Sequence, residues 1–273
     1  MRNLFKSGKG VAAPHIVWSV LFIILPLIFV VYFAFTDGEG SFTFDNILAL
    51  SEHAETFALS VSLSVIATFF CFIIGYPLAY LIARADEKKQ KIFIMLLMLP
   101  MWTNLLIRTY SMMAIMDDGG MINTFLRSLD LNTFRMIGTK GAVIFGMAYD
   151  FFPYMVMPIY TVISKIDTSL IEAASDLGCS PLKTMTKVVL PLSASGIVSG
   201  ITMVFVPCIS TFYISQKLGG GTFELLGDTI ERQFQNVSTY NVGAAISLVM
   251  MILVLLSLFV MSKFSGEEEG TKV

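Results

Sequence analysis

The sequence predicts an all-α membrane protein with six transmembrane helices, and three observations predict it. First, 55% of the 273 residues are hydrophobic and only 14% are charged, whereas a soluble domain is about one quarter charged. Second, six stretches are long and apolar enough to cross the roughly 30 Å core of a bilayer. Third, these stretches contain only two charged side chains. An ordinary soluble enzyme is thereby excluded, and a net charge of −2 offers no basic surface to nucleic acid.

The predicted spans belong to one transmembrane domain that covers residues 1–273, without a soluble appendage. The first apolar run is longer than the roughly 7–15-residue core of a signal peptide, so we expect it to be retained as a helix. The third and fourth spans carry the two charges, Arg108 and Asp150. In chain order the spans cover residues 11–35, 56–83, 92–116, 141–164, 191–215 and 241–262.

Lysine and arginine are distributed unevenly among the segments between the spans. If the N-terminus is cytoplasmic, the inner segments hold twelve basic residues and the outer loops hold five. Because basic residues concentrate in short cytoplasmic loops, we expect both termini to lie in the cytoplasm. The N-terminal bases include Arg2 and Lys6, and the acidic cluster at 267–269 in the C-terminal tail is expected to be solvated.

Prolines and glycines within the spans indicate how the helices are shaped and packed. Proline removes a helix hydrogen bond and kinks or breaks the helix, although it is also simply commoner in membrane helices. Gly196 and Gly200 form a small-residue face suited to close helix packing. Outside the spans, residues 117–140 and 223–234 carry apolar residues at helical spacing, which predicts short helices on the outer surface. The prolines inside the spans are Pro14, Pro26, Pro77, Pro100, Pro153, Pro158 and Pro207.

The predicted inner loop of residues 165–190 contains a short helix pattern. The Asp-Thr-Ser run at 167–169 can cap its first turn. Gly178 suits its C-terminal end, and Pro181 prevents continuation. The alanines at 173–174 would form a small-residue face that another surface could approach closely. From the residues alone two interpretations stay open: a docking helix for a partner, or a helix that rests on its own bundle.

The same loop resembles the signature of ABC importer permeases. That signature is Glu-Ala-Ala, three residues, Gly, nine residues, an aliphatic residue, one residue and Leu-Pro. This chain has that spacing, with Val188 in place of the usual Ile. The resemblance implies that the loop is a coupling helix that docks in a groove of a separate ATPase subunit, with Glu172 and Gly178 at its centre. The matching residues implied to couple to the ATPase are Glu172, Ala173, Ala174, Gly178, Leu190 and Pro191.

Three further stretches are similar to the permeases of spermidine/putrescine importers, and more to the B-type permease than to its C-type partner. They cover residues 99–110, 211–214 followed by 218–221, and 243–248. The resemblance implies the type I permease fold of ABC importers and a polyamine substrate. Permeases for iron, sulfate, phosphonates or thiamine share much of the pattern, so those substrates are the alternatives.

The family resemblance also implies an assembly in a bacterial cytoplasmic membrane. This chain and a second, C-type permease would form the translocation pathway, surrounded by membrane lipid. Two ATPase subunits would bind ATP and Mg, and an extracytoplasmic binding protein would deliver the substrate. This chain would then bind no cofactor and would not itself be an enzyme.

Other classes of function lack the residues they need. His15 and His53 have no partners at metal-ligand spacing, and the three cysteines form no even framework, so no metal site is predicted. No nucleotide-binding or nucleophile motif is present. A stand-alone secondary transporter would have more intramembrane ionisable groups and internal repeats. An integral membrane enzyme would need clustered His, Asp or Glu near one interface.

The two intramembrane charges are candidates for the substrate pathway. A charge at mid-membrane costs roughly 2.5–3.5 kcal/mol on the insertion scale, so Asp150 should face the bundle interior, a cavity or a partner. A carboxylate flanked by aromatic rings suits an aliphatic polycation, but an ion pair with Arg108 is the alternative. A bare arginine would repel a polycation, so we expect Arg108 to have a structural or gating role. The candidate pathway residues are Asp150, Trp102, Asn104, Tyr149 and Tyr154.

Overall fold

The computed structural model describes the backbone of residues 9–266. The N-terminal bases Arg2 and Lys6 and the acidic cluster at 267–269 lie outside the described residues. Within them the chain is mostly helical, and its β pairing is limited to one isolated bridge between Thr36 and Phe42.

The helices are connected by short turns, and three 3₁₀ and two π segments interrupt or extend them. The α-helices in chain order are α1 (Lys9–Ser19), α2 (Leu25–Ala34), α3 (Asp45–Leu48), α4 (Ala54–Ala83), α5 (Glu87–Met98), α6 (Leu105–Met116), α7 (Met121–Ser128), α8 (Lys140–Ile163), α9 (Thr168–Asp176), α10 (Pro181–Thr184), α11 (Leu190–Leu192), α12 (Ala194–Ser210), α13 (Tyr213–Leu218), α14 (Leu226–Gln235) and α15 (Tyr240–Gly266). The 3₁₀ segments are Ala49–His53, Leu99–Trp102 and Val237–Thr239, and the π segments are Val20–Ile24 and Met185–Val189.

Four continuous helical stretches within the described residues are long and apolar enough to cross a membrane. They are Pro14–Ala34, Asp45–Ala83, Lys140–Ile163 and Val237–Lys263. Two further stretches reach the required length only as bent pairs, which would give six spans if each pair counts as one. The predicted first, second, fourth and sixth spans each overlap one of the continuous stretches.

The predicted third span, 92–116, is not one straight helix, because the chain turns by 92° between Glu87–Trp102 and the helix that starts at Leu105. Pro100 lies in the 3₁₀ turn at the break and cannot donate a backbone hydrogen bond there. The new direction is then fixed by Asn104, whose side chain accepts the N–H of Leu106 at 2.8 Å and so caps α6.

The predicted fifth span, 191–215, also differs from the structure. Pro181–Leu192 and Ala194–Ser210 are bent by 75° at Ser193, so Pro191 lies before the bend rather than at the start of a straight span. A π turn precedes Pro191, and the N–H of Leu190 reaches back to the carbonyl of Met185. The other π turn precedes Pro26 in the same way. Because a proline ring clashes with the carbonyl four residues earlier, the helix widens by one residue just ahead of it.

The described residues divide into two compact units. The first comprises residues 9–55 and 229–252. Its small core contains Ala34, Ala244 and Ala245, all buried. The Asn241 side chain donates to the carbonyl of Thr36, and the rings of Phe33 and Tyr240 meet edge to face.

The second unit comprises residues 56–228 and 253–266, and its centre is the contact between α8 and α12. The two glycines predicted to permit close packing lie at this contact. A Cβ on Gly196 would stand 2.9 Å from the carbonyl oxygen of Pro158, and one on Gly200 would stand 2.9 Å from that of Met155. The expectation of a close small-residue contact is confirmed, and the two backbones touch where only glycine fits.

The two short helices predicted outside the spans are present. Helix α7 lies within the predicted segment 117–140, and α14 overlaps 223–234. Asp228, in the first turn of α14, accepts the hydroxyl of Ser215 at 2.9 Å and the N–H of Leu225 at 2.8 Å. The N–H of Leu226 is in turn accepted by Ser60 of α4 at 2.8 Å. The beginning of α14 is therefore tied to two other helices.

Candidate functional site

The loop of residues 165–190 folds around α9, and its ends are fixed by the residues that the sequence indicated. Of the three possible caps, Asp167 is the one used, and its carboxylate accepts the N–H of Ser169 at 2.9 Å. This contact holds the pKa of Asp167 below its ordinary value. At the other end Gly178 has a φ of +78°. The N–H groups of Gly178 and Cys179 donate to the carbonyls of Ser175 and Ala174, which is the hydrogen-bond pattern of a Schellman cap.

Helix α9 presents a mixed surface outward. Glu172 and Ala173 are exposed, and Leu177 at its C-terminal end is 86% exposed. Ala174 is buried, with 7% of its surface exposed. The expected small-residue face is therefore only half present, because a one-residue step turns a helical side chain by about 100° and carries Ala174 away from Ala173. One side of α9, at Ala174, therefore rests on the chain's own residues, and the other side, at Glu172 and Ala173, is exposed.

Leu190 and Pro191, the last two residues of the permease signature, connect the loop to the second bend. Leu190 is partly exposed and Pro191 is exposed, while Val189 just before them is buried. Two residues later the buried hydroxyl of Ser193 lies 3.1 Å from that of Tyr76 on α4. Sequence reasoning missed this contact, because the two residues are far apart in the chain and neither belongs to a motif.

Arg108 and Asp150 form a buried ion pair in the second unit. Arg108 Nε lies 3.2 Å from Asp150 Oδ1, and their side chains are 13% and 0% exposed. Arg108 comes from α6 just beyond the break, and Asp150 from the middle of α8. This is the alternative in which the carboxylate pairs with the arginine. The arrangement keeps two opposite charges away from lipid and places neither carboxylate oxygen at a surface.

The other candidate pathway residues do not converge on one place. Trp102 is 75% exposed at the break, and the Asn104 side chain is engaged as the cap of α6. Tyr149 lines an apolar cavity of about 600 Å³ beside α4 and α5. Tyr154 lines a different cavity of about 550 Å³ between α8, α12 and the end of α5. The second cavity is the more polar of the two, because the hydroxyl-bearing residues Thr161, Ser195 and Ser199 line it beside several methionines.

One further cluster was not indicated by the sequence. The rings of Tyr110 on α6 and Tyr213 on α13 meet edge to face, with centroids 6.2 Å apart. The ammonium group of Lys217 lies over both rings. Within the described residues no set of three or more His, Cys, Asp or Glu side chains could hold a metal ion.

The chain was compared with known proteins by family, by sequence and by structure. The model of the family described as "Binding-protein-dependent transport system inner membrane component" matches residues 10–265. The spermidine/putrescine transport system permease protein PotB of Salmonella typhimurium (strain SL1344) is 35% identical over 270 residues, which cover 95% of this chain and 94% of that protein. PotB of Escherichia coli (strain K12) is 36% identical over 253 residues, covering 89% and 92%.

Solved structures share the fold at lower sequence identity. A chain in the crystal structure of a bacterial alginate ABC transporter, in complex with its alginate-bound periplasmic protein, matches with a TM-score of 0.80 at 17% identity and covers 96% of this chain and 95% of that one. A chain of the inward-facing MetNI methionine ABC transporter matches with a TM-score of 0.56 at 19% identity, covering 77% and 93%. This chain therefore belongs to the family of binding-protein-dependent transport system inner membrane components and is a permease subunit of an ABC importer.

Proposed function

We propose that this chain is the B-type permease of a polyamine importer. The observation that carries the proposal is the similarity to PotB, at 35–36% identity over at least 89% of this chain. In this proposal the chain is one transmembrane domain with six spans, each bent pair counting as one span. Both termini lie in the cytoplasm, as the distribution of lysine and arginine indicates.

We infer that the loop of residues 165–190 couples the permease to an ATPase. Helix α9 supports this role, because it exposes Leu170 (47%) and Leu177 (86%) two turns apart on one face of a short helix outside the spans, and the charged Glu172 is exposed as well. Several exposed apolar side chains rimmed by polar ones are typical of a protein interface. The Gly178 cap fixes the direction in which the chain leaves that surface. The buried side of α9, at Ala174, would transmit movement to the rest of the second unit.

The proposed assembly needs three kinds of partner. A second, C-type permease would complete the pathway, and two ATPase subunits would hold ATP and Mg. An extracytoplasmic binding protein would deliver spermidine or putrescine. No step of ATP hydrolysis is assigned to residues of this chain.

Co-purification from native membranes tests the assembly. The tagged chain is extracted in mild detergent, and every protein that co-purifies is identified. An ATPase, a second permease and a binding protein are the expected partners. Recovery of this chain alone after crosslinking would contradict the proposal and support a stand-alone transporter.

A charge reversal sharpens this test. Glu172→Lys should lower recovery of the ATPase or uncouple its hydrolysis from transport, because it reverses the charge at the centre of the proposed docking surface. Glu87→Lys is the matched control, since Glu87 is an exposed glutamate in the first turn of α5 on another predicted inner segment. Equal effects of the two substitutions would show that the docking surface is not at α9.

Uptake measurements test the substrate. Cells with and without this chain are compared for uptake of labelled spermidine and putrescine and, in parallel, for uptake of iron, sulfate, phosphonate and thiamine. Loss of polyamine uptake on deletion, restored by the chain, is expected. Loss of another solute's uptake with polyamine uptake intact would replace polyamine by that solute and leave the importer family unchanged.

A further inference from the structure

Two tyrosine rings in the second unit hold an ammonium group. The Nζ atom of Lys217 lies 5.3 Å from the ring centroid of Tyr110 and 5.8 Å from that of Tyr213. Both distances are within the roughly 6 Å over which the negative face of an aromatic ring attracts a cation. The two rings come from α6 and α13, which pack against each other.

The rings are the principal electrostatic partners of this ammonium group. Within residues 9–266 Lys217 forms no ion pair with a carboxylate. The Tyr110 hydroxyl also takes part in hydrogen bonds with Tyr213 and Lys217. Each cation–π contact is worth only about 0.5–2 kcal/mol, so the lysine is held by several weak contacts and by no ion pair. Lys217 can therefore leave the two rings at little cost, because its departure leaves no buried carboxylate without a partner.

The cluster is accessible and is separate from the buried ion pair. Tyr110 is 47% exposed, while Arg108, two residues earlier on the same helix, is turned into the bundle toward Asp150. Two residues correspond to about 200° of rotation around an α-helix, so ring and guanidinium point to opposite sides of α6. An approaching cation would meet the ring and not the arginine.

We propose that Tyr110 and Tyr213 form a binding site for a primary alkylammonium group, which Lys217 occupies when no substrate is bound. A lysine side chain ends in the same group as a polyamine, an ammonium on an aliphatic chain, so the site fits one as it fits the other. The inference rests on the proposed polyamine function and adds the position at which one end of the substrate is held.

Lys217 then acts as a tethered competitor. A group on a short flexible tether has an effective concentration in the millimolar range. A free ammonium compound must compete with that concentration, so the site has low affinity at rest. Such a site accepts substrate when a binding protein presents it at high local concentration, and the returning lysine favours its release.

Equilibrium binding to the membrane complex tests the proposal. The complex of this chain with its co-purifying membrane partners is placed in lipid nanodiscs, free of binding protein, and titrated with radiolabelled putrescine and with butylammonium. Lys217→Gln should bind both probes about two- to fivefold more tightly than the wild type, because a weakly held competitor at millimolar effective concentration is gone. Lys140→Gln is the matched control, since it removes the same charge from an exposed lysine in the same unit and should leave binding unchanged.

Ring substitutions in the Lys217→Gln background locate the site. Tyr110→Leu or Tyr213→Leu should abolish the gain in affinity, whereas Tyr213→Phe should retain it because it keeps the ring. Tyr110→Phe should retain most of it, since it keeps the ring and loses only the Tyr110 hydroxyl. No gain in Lys217→Gln, or an equal loss with Phe and Leu, would overturn the proposal. If binding depends on the rings but cells take up no polyamine, the proposed polyamine function is wrong and this inference stands. If cells take up polyamine but binding does not depend on the rings, this inference is wrong and the proposed function stands.

Discussion

Removing one partner of the Arg108–Asp150 pair leaves a buried charge without compensation. Breaking such a pair costs about 3–5 kcal/mol in soluble proteins, whereas replacing both partners by apolar residues is often neutral. We therefore expect Asp150→Asn to lower thermal stability in detergent strongly, and Arg108→Met with Asp150→Leu to recover most of it. The exposed Asp86–Lys89 pair, 3.0 Å apart, is the control, and Asp86→Asn should change stability little.

Transport by the double variant separates the two roles considered for Asp150. A structural pair predicts that the stable double variant still imports substrate. A stable double variant that has lost uptake would show that the pair is more than structural, with Asp150 serving the pathway or Arg108 the gating. Equal stability of Asp150→Asn and the wild type would contradict the burial of this pair.

Asp167 makes the start of α9 sensitive to acid. Accepting the N–H of Ser169 lowers its pKa from the ordinary 3.8. A carboxyl group with a lowered folded-state pKa stabilises the folded form above its unfolded pKa, and the contribution is lost as pH falls through the folded-state pKa. We expect amide exchange in residues 168–176, corrected for its intrinsic rate, to speed up below about pH 4. Asp167→Asn should remove this pH dependence, since an amide oxygen caps at any pH; an unchanged profile would argue against the cap.

At the scale of the element, α9 depends on the left-handed residue that ends it. Gly178 has a φ of +78° and open space around its Cα, so an added Cβ would meet no atom within 4 Å. The cost of Gly178→Ala is therefore conformational, about 1–2 kcal/mol. We expect faster amide exchange at 174–179 and weaker ATPase coupling. Gly38→Ala is the control, since Gly38 has equal space and no positive φ, and Gly178→Asn should fall between the two.

The contact of α8 with α12 should tolerate no added carbon. Gly196→Ala and Gly200→Ala would each force a Cβ to 2.9 Å from a backbone carbonyl oxygen. Overpacking of this kind costs about 1–3 kcal/mol, and we expect it as a lower unfolding temperature of the purified chain. Gly141→Ala meets only the Thr139 hydroxyl at 3.8 Å and should be neutral. Wild-type stability of both α12 variants would show that these helices lie farther apart.

The sequence predicts continuous helices better than it predicts bends. Expected helices over 56–83 and 141–164 agree with α4 and α8 within two residues, because long apolar runs determine them. The break after Pro100 was not distinguishable, since Pro77 and Pro153 lie inside helices that continue. The apolar composition of a segment indicates that it can lie in lipid, but it does not indicate the direction in which its backbone runs.

Local signals also explain which parts of the candidate site could be predicted. The ends of α9 depend on Asp167 and Gly178, which act on neighbouring residues and so can be read from the sequence. The Lys217 cluster joins residues more than a hundred positions apart. Tyr110 and Tyr213 each lie in a stretch similar to spermidine/putrescine permeases, but that similarity does not indicate that the two stretches meet. The prediction of a small-residue face at Ala173 and Ala174 was half wrong for another reason, because adjacent residues on a helix point in different directions.

At the scale of the whole molecule, the proposed topology predicts which side of the membrane each loop occupies. Cys179 is half-buried at the end of α9, whereas Cys71 and Cys208 are buried. A membrane-impermeant maleimide should label Cys179 in inside-out vesicles and not in right-side-out ones. Glu39→Cys, in an exposed loop between the first two spans, should show the opposite pattern. Labelling of Cys179 from outside would invert the topology, and Cys179→Ser should abolish that signal.

The break at Pro100 and the buried ion pair together set an order of events during biosynthesis. Helix α5 has 12 residues and α6 has 12, so each is about 18 Å long and neither alone spans the bilayer core. Arg108 leaves the ribosome 42 residues before Asp150. At about 5–20 residues per second the arginine waits some 2–8 seconds for its partner. We therefore expect the third segment to leave the translocon together with the fourth, because the pairing of Arg108 with Asp150 removes the cost of placing a lone arginine in lipid.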